Sequence, residues 1–461
     1  MRLADSIQSR LSSIRIMIRS RNSSVAHAGL GDGYSLSKQR CLPRSAQFAV
    51  WTVFLGALFR ELANSTVLIE LGGFNIQVFE LGILATLIAI AFLAQRFKPS
   101  LRLPGLLALG LAGLLFLHIL RGFALGPTNG IEALRASGPV AAILVLGIYL
   151  AAAKCSFGKI RSAIEIIASL AALLALGRLL GGVPIYEDFA SGRPATSGGA
   201  MLIGAGLIFA VVNWRPTAAP GLLWRTAKVG FLGLALLVSQ QATAIVATLI
   251  AIVVLLALYW TRSRRWSIAS LAGLLCIILP TFLLRDWIIS LLPEWIIGSR
   301  YERNSNLEWR QEIWQQVLND FERWSVIDKL AGLPGGVVPT VQLNNFTFWE
   351  HSLHSQYIGT LSAAGALGLF LYIALLLVII FLCIRALLTS GPPMQTEISL
   401  AIAFCTQLAV FGYSYELRPE HGLILMIALV VGSRCSRELA VSRDRQLASA
   451  QFRVNRFPAS P

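Results

Sequence analysis

The chain has 461 residues, of which 56% are hydrophobic and 13% charged, and its mean hydropathy is +0.68. Soluble domains carry charge on about a quarter of their residues, so this composition excludes an ordinary soluble protein and indicates a polytopic membrane protein. The net charge of +16 requires no nucleic acid, because basic residues in membrane proteins chiefly mark the cytoplasmic side. We expect no nucleic-acid partner.

The first 46 residues form a basic tail that is rich in arginine and serine. A cleavable signal peptide needs an apolar core soon after its charges, whereas the first apolar run here begins only near Phe48. We therefore predict a cytoplasmic tail over residues 1–46, in contact with anionic lipid.

Apolar runs that approach the roughly 20 residues of a membrane span indicate about twelve transmembrane helices. One run is too long for a single span, and we divide it at its polar interruption, Ser239-Gln240-Gln241. The predicted fold is thus an all-α polytopic membrane protein. The expected spans are 47–64, 78–94, 104–120, 138–153, 162–180, 199–213, 228–239, 242–260, 266–284, 355–384, 397–414 and 420–433.

The distribution of basic residues predicts how these helices are oriented. Alternate loops contain QRFKPSLR, KCSFGKIR, WRPTAAPGLLWRTAK and RSRR, and the tail after residue 433 is rich in arginine. Because basic loops stay in the cytoplasm, both termini are expected there. The predicted divisions are the tail 1–46, helices one to nine (47–284), a periplasmic loop (285–353), helices ten to twelve (354–433) and the tail 434–461.

The long outer loop contains the segment GSRYERNSNLEWRQEIWQQVLNDFERW, which predicts an amphipathic helix, followed by the turn AGLPGG. On a helical wheel, Arg310 lies among Trp314, Val317 and Phe321. An unpaired charge in an apolar arc is costly. Its partner could be an acidic side chain or an anionic ligand at the membrane surface, or the side chain could extend outward to water. The opposite face carries Glu308, Glu312, Gln315 and Asn319.

Arg193 follows Gly192 in a second outer loop, just before a predicted helix. Arginines at the membrane interface commonly anchor a helix end. The planar guanidinium also suits the oxygens of a phosphate. Both interpretations of Arg193 stay open.

His354 lies where the long loop meets an apolar helix, in the stretch EHSLHSQYIGTLSAAGALGLFLY. If the helix begins near His354, Leu361, Gly365, Gly368 and Tyr372 fall within roughly 40° of it on the wheel. Glycines on one face permit close helix packing, and a histidine there can accept a proton near neutral pH. The stretch could therefore serve only to pack helices closely, or its histidine could be catalytic.

Two outward-facing arginines and one histidine at the depth of lipid headgroups suit a lipid diphosphate. The arginines could hold the diphosphate and stabilise it as it leaves. The histidine could deprotonate an attacking hydroxyl, which typically accelerates a reaction by about 10²–10⁴.

These residues resemble motifs of the bacterial O-antigen ligases and the related polysaccharide polymerases and protein O-oligosaccharyltransferases. His354-Ser-Gln-Tyr357, with Gly365 and Gly368, resembles the histidine-led helix of that family. Arg310 and Trp314 resemble its RxxxW pattern, and LAGLPGG resembles its glycine-rich turn. Arg193 resembles the arginine that precedes the family's sixth helix.

The chain also departs from that family. Ser355 replaces the usual asparagine after the histidine, no Asn-Pro pair follows Arg193, and Gln240 stands where many members carry arginine. Gln240 cannot supply that charge to a donor.

The resemblance implies a GT-C-like enzyme of the bacterial inner membrane that is inverting, independent of metal and without a cofactor. It would transfer a glycan from undecaprenyl diphosphate, on the periplasmic side, to a hydroxyl of a glycan repeat, a lipid A core or a protein. By resemblance, His354, Arg310 and Arg193 are catalytic. The same resemblance assigns substrate binding to both arginines with Tyr357 and Trp314.

Other residues compete for these roles. Glu187-Asp188 could be a rival base or a metal ligand, and His351 competes with His354, whereas His118 and His421 are expected to be structural. The six cysteines show no metal-binding spacing, so buried free thiols are expected. The alternative function is a transporter of lipid-linked glycans without chemistry, which the helix count fits equally well.

Overall fold

The computed structural model describes a predominantly helical chain, and its described residues belong to one compact unit within Leu42–Pro461. It describes residues 51, 67–71, 74–99, 101–153, 157–181, 194–213, 219–260, 303–337, 341–343, 346–348, 353–388, 392–415 and 419–456.

The helices are numbered here in chain order over those described residues. They are α1 (Val78–Arg96), α2 (Leu103–Leu125), α3 (Pro127–Ala152), α4 (Phe157–Gly181), α5 (Ser197–Asn213), α6 (Ala219–Val238), α7 (Ala242–Trp260), α8 (Arg303–Arg323), α9 (Val326–Ala331), α10 (Gln356–Leu387), α11 (Pro392–Phe411) and α12 (Pro419–Arg456).

The described residues form an almost entirely helical membrane protein, as the all-α prediction expects, with two short hairpins between the helices. Strands β1 (Val67–Leu71) and β2 (Phe74–Gln77) pair antiparallel directly before α1. Strands β3 (Val341–Leu343) and β4 (Phe346–Phe348) pair in the long loop. Such short strands carry too little hydrophobic periodicity to stand out in the sequence.

Five helices in the described part of the chain are long and apolar enough to cross a membrane, so the protein is a helical membrane protein. They are α2, α3, α10, the segment Ile160–Gly181 of α4 and the segment Met394–Phe411 of α11. Three shorter apolar helices lie at Thr86–Gln95, Ser197–Val212 and Ala242–Leu258. The count of twelve spans stays a prediction: of span 47–64 only Trp51 is described, and span 266–284 lies outside the described residues.

Several helices extend beyond the predicted spans. Helix α3 begins at Pro127 rather than at 138, because proline at its start suits a first turn that needs no amide donor. Helix α6 begins at Ala219 rather than 228, and α12 continues to Arg456 rather than ending at 433. Hydropathy detects apolar residues, and a helical backbone continues through polar residues beyond them.

The predicted division at Ser239-Gln240-Gln241 is confirmed, because α6 ends at Val238 and α7 begins at Ala242. Gln240 has a φ of 56°, in the left-handed region that few non-glycine residues occupy. The Ser239 hydroxyl donates to the Leu236 carbonyl, 2.6 Å away. The polar residues thus end one helix and start the next.

The core is formed by the inward, buried residues of α1–α7 and α10–α12, and α5, α7, α11 and α12 contribute many of them. The rings of Phe209 and Phe404 meet edge to face there, with centroids 5.1 Å apart. Three of the six cysteines, Cys383, Cys405 and Cys435, are described, and all three are buried free thiols, as expected.

The glycine-rich turn after α9 is wedged against a kink in α10. Gly365, inside α10, has a φ of 68°, and a Cβ there would collide with the backbone of Leu330. Gly332, with a φ of 85°, similarly approaches the backbone of Ala363. Both positions therefore require glycine. The Leu333 amide donates to the Ser362 carbonyl beside the kink, at 2.7 Å.

Helix α2 holds the other side of this turn. Nδ1 of His118 lies 2.8 Å from the Leu333 carbonyl, to which it donates, so the prediction of a structural histidine is confirmed. Arg121 donates to the Gly332 carbonyl and forms a salt bridge with Asp328. The turn is thus fixed between α2 and α10.

Replacement of Gly365 by alanine tests this packing. We expect Gly365→Ala to destabilise the protein by about 1–3 kcal/mol from backbone strain alone, with further loss from the collision. Gly113→Ala is the matched control, because nothing lies within 4 Å of a Cβ there. Thermal unfolding in detergent measures both; equal melting temperatures for the two variants would contradict the described kink.

Asp328 should make the stability depend on acid pH. Burial acts to raise the pKa of this carboxyl, but hydrogen bonds from Ser325 and Arg121 outweigh it, so its pKa lies below the usual 3.8. A group with a lowered folded pKa stabilises the fold above its unfolded pKa and loses that contribution as the pH falls through the folded value.

We therefore expect Asp328→Asn to lower the melting temperature at pH 7 and to reduce its fall below about pH 4. Asp320→Asn, at an exposed carboxylate on α8, is the control and should change neither. Identical acid profiles for the wild type and Asp328→Asn would refute the assigned salt bridge.

Candidate functional site

The candidate site lies where four connections between helices come together, two of which contact α8. These are the residues before α5, the break between α6 and α7, the residues before α10, and the segment Gly412–Tyr415 after α11, which we call the corner. Hydrogen bonds between these segments, given below, place them at one end of the helix bundle.

Arg310 reaches from α8 to the corner. Its Nη1 donates to the Ser414 carbonyl at 3.2 Å, and its guanidinium lies 5.2 Å from the centroid of the Tyr415 ring. Such a cation–π contact is worth about 0.5–2 kcal/mol. Among the described residues no carboxylate pairs with Arg310, and its buried Nε has no hydrogen-bond partner. Of the partners that the sequence left open for Arg310, an acidic side chain is absent from the described residues, and a carbonyl and an aromatic ring contact the guanidinium instead.

Trp314 lies one turn after Arg310 and fixes the approach to α10. Its indole Nε1 donates to the Leu353 carbonyl at 2.8 Å, and its ring meets Tyr413 edge to face at 5.1 Å. The amphipathic pattern predicted for this helix is confirmed over the residues with described side chains. Ile313, Trp314 and Val317 are buried, whereas Glu312, Gln315 and Asn319 are exposed.

The helix after His354 begins one residue later than the predicted start at 355, but His354 itself lacks the helical geometry on which the wheel depends. Helix α10 begins at Gln356, and His354 has a φ of 48°, in the left-handed region. Ser355, with φ −153° and ψ 130°, is extended. The helical wheel that aligned His354 with the glycines does not apply, because His354 lies before the first residue of the helix and the backbone is non-helical again at Gly365.

The backbone around His354 is fastened on both sides. Before it, the Leu353 carbonyl accepts from Trp314; after it, the Gln356 amide donates to the Gly412 carbonyl at 2.7 Å. A positive φ in a residue other than glycine costs about 1–3 kcal/mol and persists only where the surroundings impose it. These contacts impose it, and His354 is left half-buried beside the corner.

Tyr357 uses its hydroxyl inside the bundle. The hydroxyl donates to the Ala409 carbonyl at 2.7 Å, and the ring meets Tyr372 with centroids 6.2 Å apart. These contacts pack α10 against α11. The predicted role of Tyr357 in substrate binding stays a prediction.

Arg193 lies outside the described residues, as do Glu187, Asp188 and His351. The chain is described again from Pro194, and the Ala195 carbonyl accepts from Nε2 of Gln241 at 3.2 Å. This contact gives the position of the backbone two residues after Arg193.

Gln241 and Tyr415 connect that backbone to Arg310, and neither was a predicted site residue. Oε1 of Gln241 accepts a hydrogen bond from the Tyr415 hydroxyl at 2.8 Å. The ring of the same tyrosine packs beneath the guanidinium of Arg310. Gln241 is buried and its amide is used at both ends. The polar residues within this apolar run could have indicated Gln241, but the comparison with the family's arginine concerned the preceding residue, Gln240.

The two other histidines in the described part of the chain, His118 and His421, have packing roles. His118 holds the glycine-rich turn, as described above, and His421 is buried against the Phe411 ring, 4.6 Å away. Within the described ranges no group of three or more His, Cys, Asp or Glu residues could hold a metal ion.

No family model and no curated protein matches this chain. The fold and the site therefore define only a class, a helical membrane protein in which Arg310 and the residue after the His354-Ser355 pair both contact the corner at one end of the bundle.

Removal of the Tyr415 hydroxyl tests the connection between Gln241 and Arg310. Tyr415→Phe keeps the ring under the guanidinium but leaves Oε1 of buried Gln241 without its donor, which costs about 1–3 kcal/mol. We expect a lower melting temperature for this variant. Tyr413→Phe, at an exposed tyrosine that keeps its ring contact with Trp314, should be neutral. A neutral Tyr415→Phe would exclude the hydrogen bond.

Proposed function

We propose that this protein is a membrane glycosyltransferase that transfers a glycan from undecaprenyl diphosphate to an acceptor hydroxyl on the periplasmic face of the bacterial inner membrane. The observation that supports it best is the backbone of His354. His354, with φ 48°, is held between the Trp314 contact and the Gly412 carbonyl, and Arg310, which no described carboxylate neutralises, contacts Ser414 of the same corner.

In this proposal His354 is the general base. An imidazole takes a proton near neutral pH, so it can remove the proton from the acceptor hydroxyl. The acceptor oxygen then forms a bond to the anomeric carbon from the face opposite the diphosphate. The bond from that carbon to the diphosphate oxygen breaks, its electron pair leaves with the diphosphate, and the configuration inverts.

Arg310 stabilises the departing diphosphate in this scheme. One nitrogen of its guanidinium is anchored to the Ser414 carbonyl, and its plane is set by the Tyr415 ring. A charge that is already oriented requires little reorganisation when negative charge develops. The unpartnered Nε is the donor that we assign to a phosphate oxygen.

Arg193 is the second cation of the proposal, supported by its position two residues before Ala195. The indole N–H of Trp314 and the hydroxyl of Tyr357 donate to main-chain carbonyls, so we assign to these two polar groups the role of positioning their helices. Any contact of Trp314 or Tyr357 with the substrate would then be made by the faces of their rings. The glycan repeat, the lipid A core and the protein hydroxyl can all use the same base and leaving group, so we propose that the outer loops select the acceptor.

The topology proposed with this function has about twelve spans, with both termini cytoplasmic and residues 285–353 periplasmic. A transporter without chemistry is the competing function, and it makes no use of a fixed general base. The role of His354 therefore separates the two.

His354→Asn tests the general base while retaining the backbone, because asparagine is among the residues that best tolerate a positive φ. With purified protein in liposomes, labelled undecaprenyl-diphosphate glycan and each acceptor in turn, we expect a loss of about 10²–10⁴ in rate. Melting temperature should stay near that of the wild type.

His351→Ala is the matched control for a rival histidine and should retain activity. In cells, His354→Asn should accumulate lipid-linked donor outside without product. Wild-type turnover by His354→Asn, or donor trapped inside, would reject the enzymatic proposal and favour transport.

A further inference from the structure

A second cationic cluster lies at the other end of the bundle, where α2, α3 and α12 meet. Nη1 of Arg102, the residue before α2, donates to the Ser436 carbonyl at 2.8 Å. Nη2 of Arg437 donates to the Ala151 carbonyl, near the end of α3, at 2.9 Å. Because Ser436 and Arg437 are adjacent in the chain, these contacts bring the two arginines together.

Neither arginine is neutralised by a carboxylate in the described part of the chain. Arg434, the third member of the cluster, forms a salt bridge with Glu397. Glu438 forms no described salt bridge with its neighbour Arg437, but its charge acts on Arg437 and partly offsets the repulsion between the arginines. Burial, with the nearby charges of Arg102 and Arg434, lowers the pKa of Arg437. The positive charges of these arginines repel one another, and a bound anion would remove that unfavourable electrostatic energy.

The surroundings of Arg102 suit a lipid rather than a soluble anion. Leu101, Leu103 and Leu106 are 48%, 53% and 48% exposed at the start of α2, a helix apolar enough to cross a membrane. An acyl chain can lie along these leucines while its phosphate reaches the guanidinium. Basic pockets between transmembrane helices are known to bind anionic headgroups.

We propose that Arg102 and Arg437 bind the phosphate of an anionic phospholipid headgroup. Each keeps donors beyond the one given to a carbonyl, and a guanidinium suits two phosphate oxygens at once. Helix α2 has 23 residues and is about 35 Å long, and His118, near its opposite end, holds the glycine-rich turn. The lipid site is therefore remote from His354 and does not depend on the proposed enzymatic function.

Lipid binding to the full-length protein in detergent tests this site. We would measure retention of phosphatidylglycerol and of phosphatidylcholine by native mass spectrometry for the wild type, Arg102→Gln and Arg437→Gln. A basic residue near an anionic surface contributes about 1 kcal/mol, so each substitution should weaken phosphatidylglycerol binding about five-fold. Phosphatidylcholine binding should not change.

Arg385→Gln is the matched control, because Arg385 is an exposed arginine near the end of α10; it should leave binding intact. Arg437→Lys keeps the charge and should retain more lipid than Arg437→Gln. Equal losses for Arg385→Gln would show diffuse surface charge and overturn the site.

A second arm uses inorganic phosphate in place of lipid and follows melting temperature. Stabilisation by the lipid that phosphate alone does not reproduce supports a headgroup site. Equal stabilisation by phosphate would reassign the cluster to a soluble anion and overturn the lipid proposal.

Discussion

The arrangement of the candidate site depends on one short stretch of main chain, the corner Gly412–Tyr415. Its carbonyl groups accept hydrogen bonds from the start of α10 and from Arg310, and its Tyr415 side chain reaches the break between α6 and α7. Carbonyl groups at the end of a helix lack intrahelical donors. Here other segments supply those donors, so the end of α11 becomes the point at which separate loops are joined.

The glycine-rich turn applies a similar constraint from the opposite side of α10. Gly332 and Gly365 permit two backbones to approach more closely than any side chain would allow. The first part of α10, which carries the residues next to His354, is thereby separated by a kink from the long apolar part. This kink orients the start of α10 toward the corner, whereas a straight helix would be oriented by its membrane-spanning part alone.

The sequence predicted much of the fold because apolar composition and polar interruptions act locally. The break at Ser239-Gln240-Gln241 and the buried face of α8 were both recognised from patterns within one segment. The junction of loop and helix at His354 was predicted correctly, but its left-handed backbone was not, since residues distant in sequence, Trp314 and Gly412, hold the chain on either side of it.

The partner of Arg310 was missed for the same reason. A charge in an apolar arc indicates that a partner exists, but it does not say whether that partner is a carboxylate, a carbonyl or a ring. Gln241 is an ordinary polar residue until the fold brings Ala195 and Tyr415 to its two ends. Hydrophobic patterns within one segment therefore predict its helices, whereas the residues that form the candidate site are determined by contacts between distant segments.

In the proposed enzyme, the imidazole of His354 and the guanidinium of Arg310 face the same lipid diphosphate. A structure determined by electron cryomicroscopy with bound undecaprenyl-diphosphate glycan would show whether they do. We expect phosphate oxygens within hydrogen-bond distance of Arg310, and the His354 side chain directed toward the anomeric carbon from the face opposite the diphosphate. A donor bound elsewhere in the bundle, with its diphosphate contacting neither residue, would contradict this proposal.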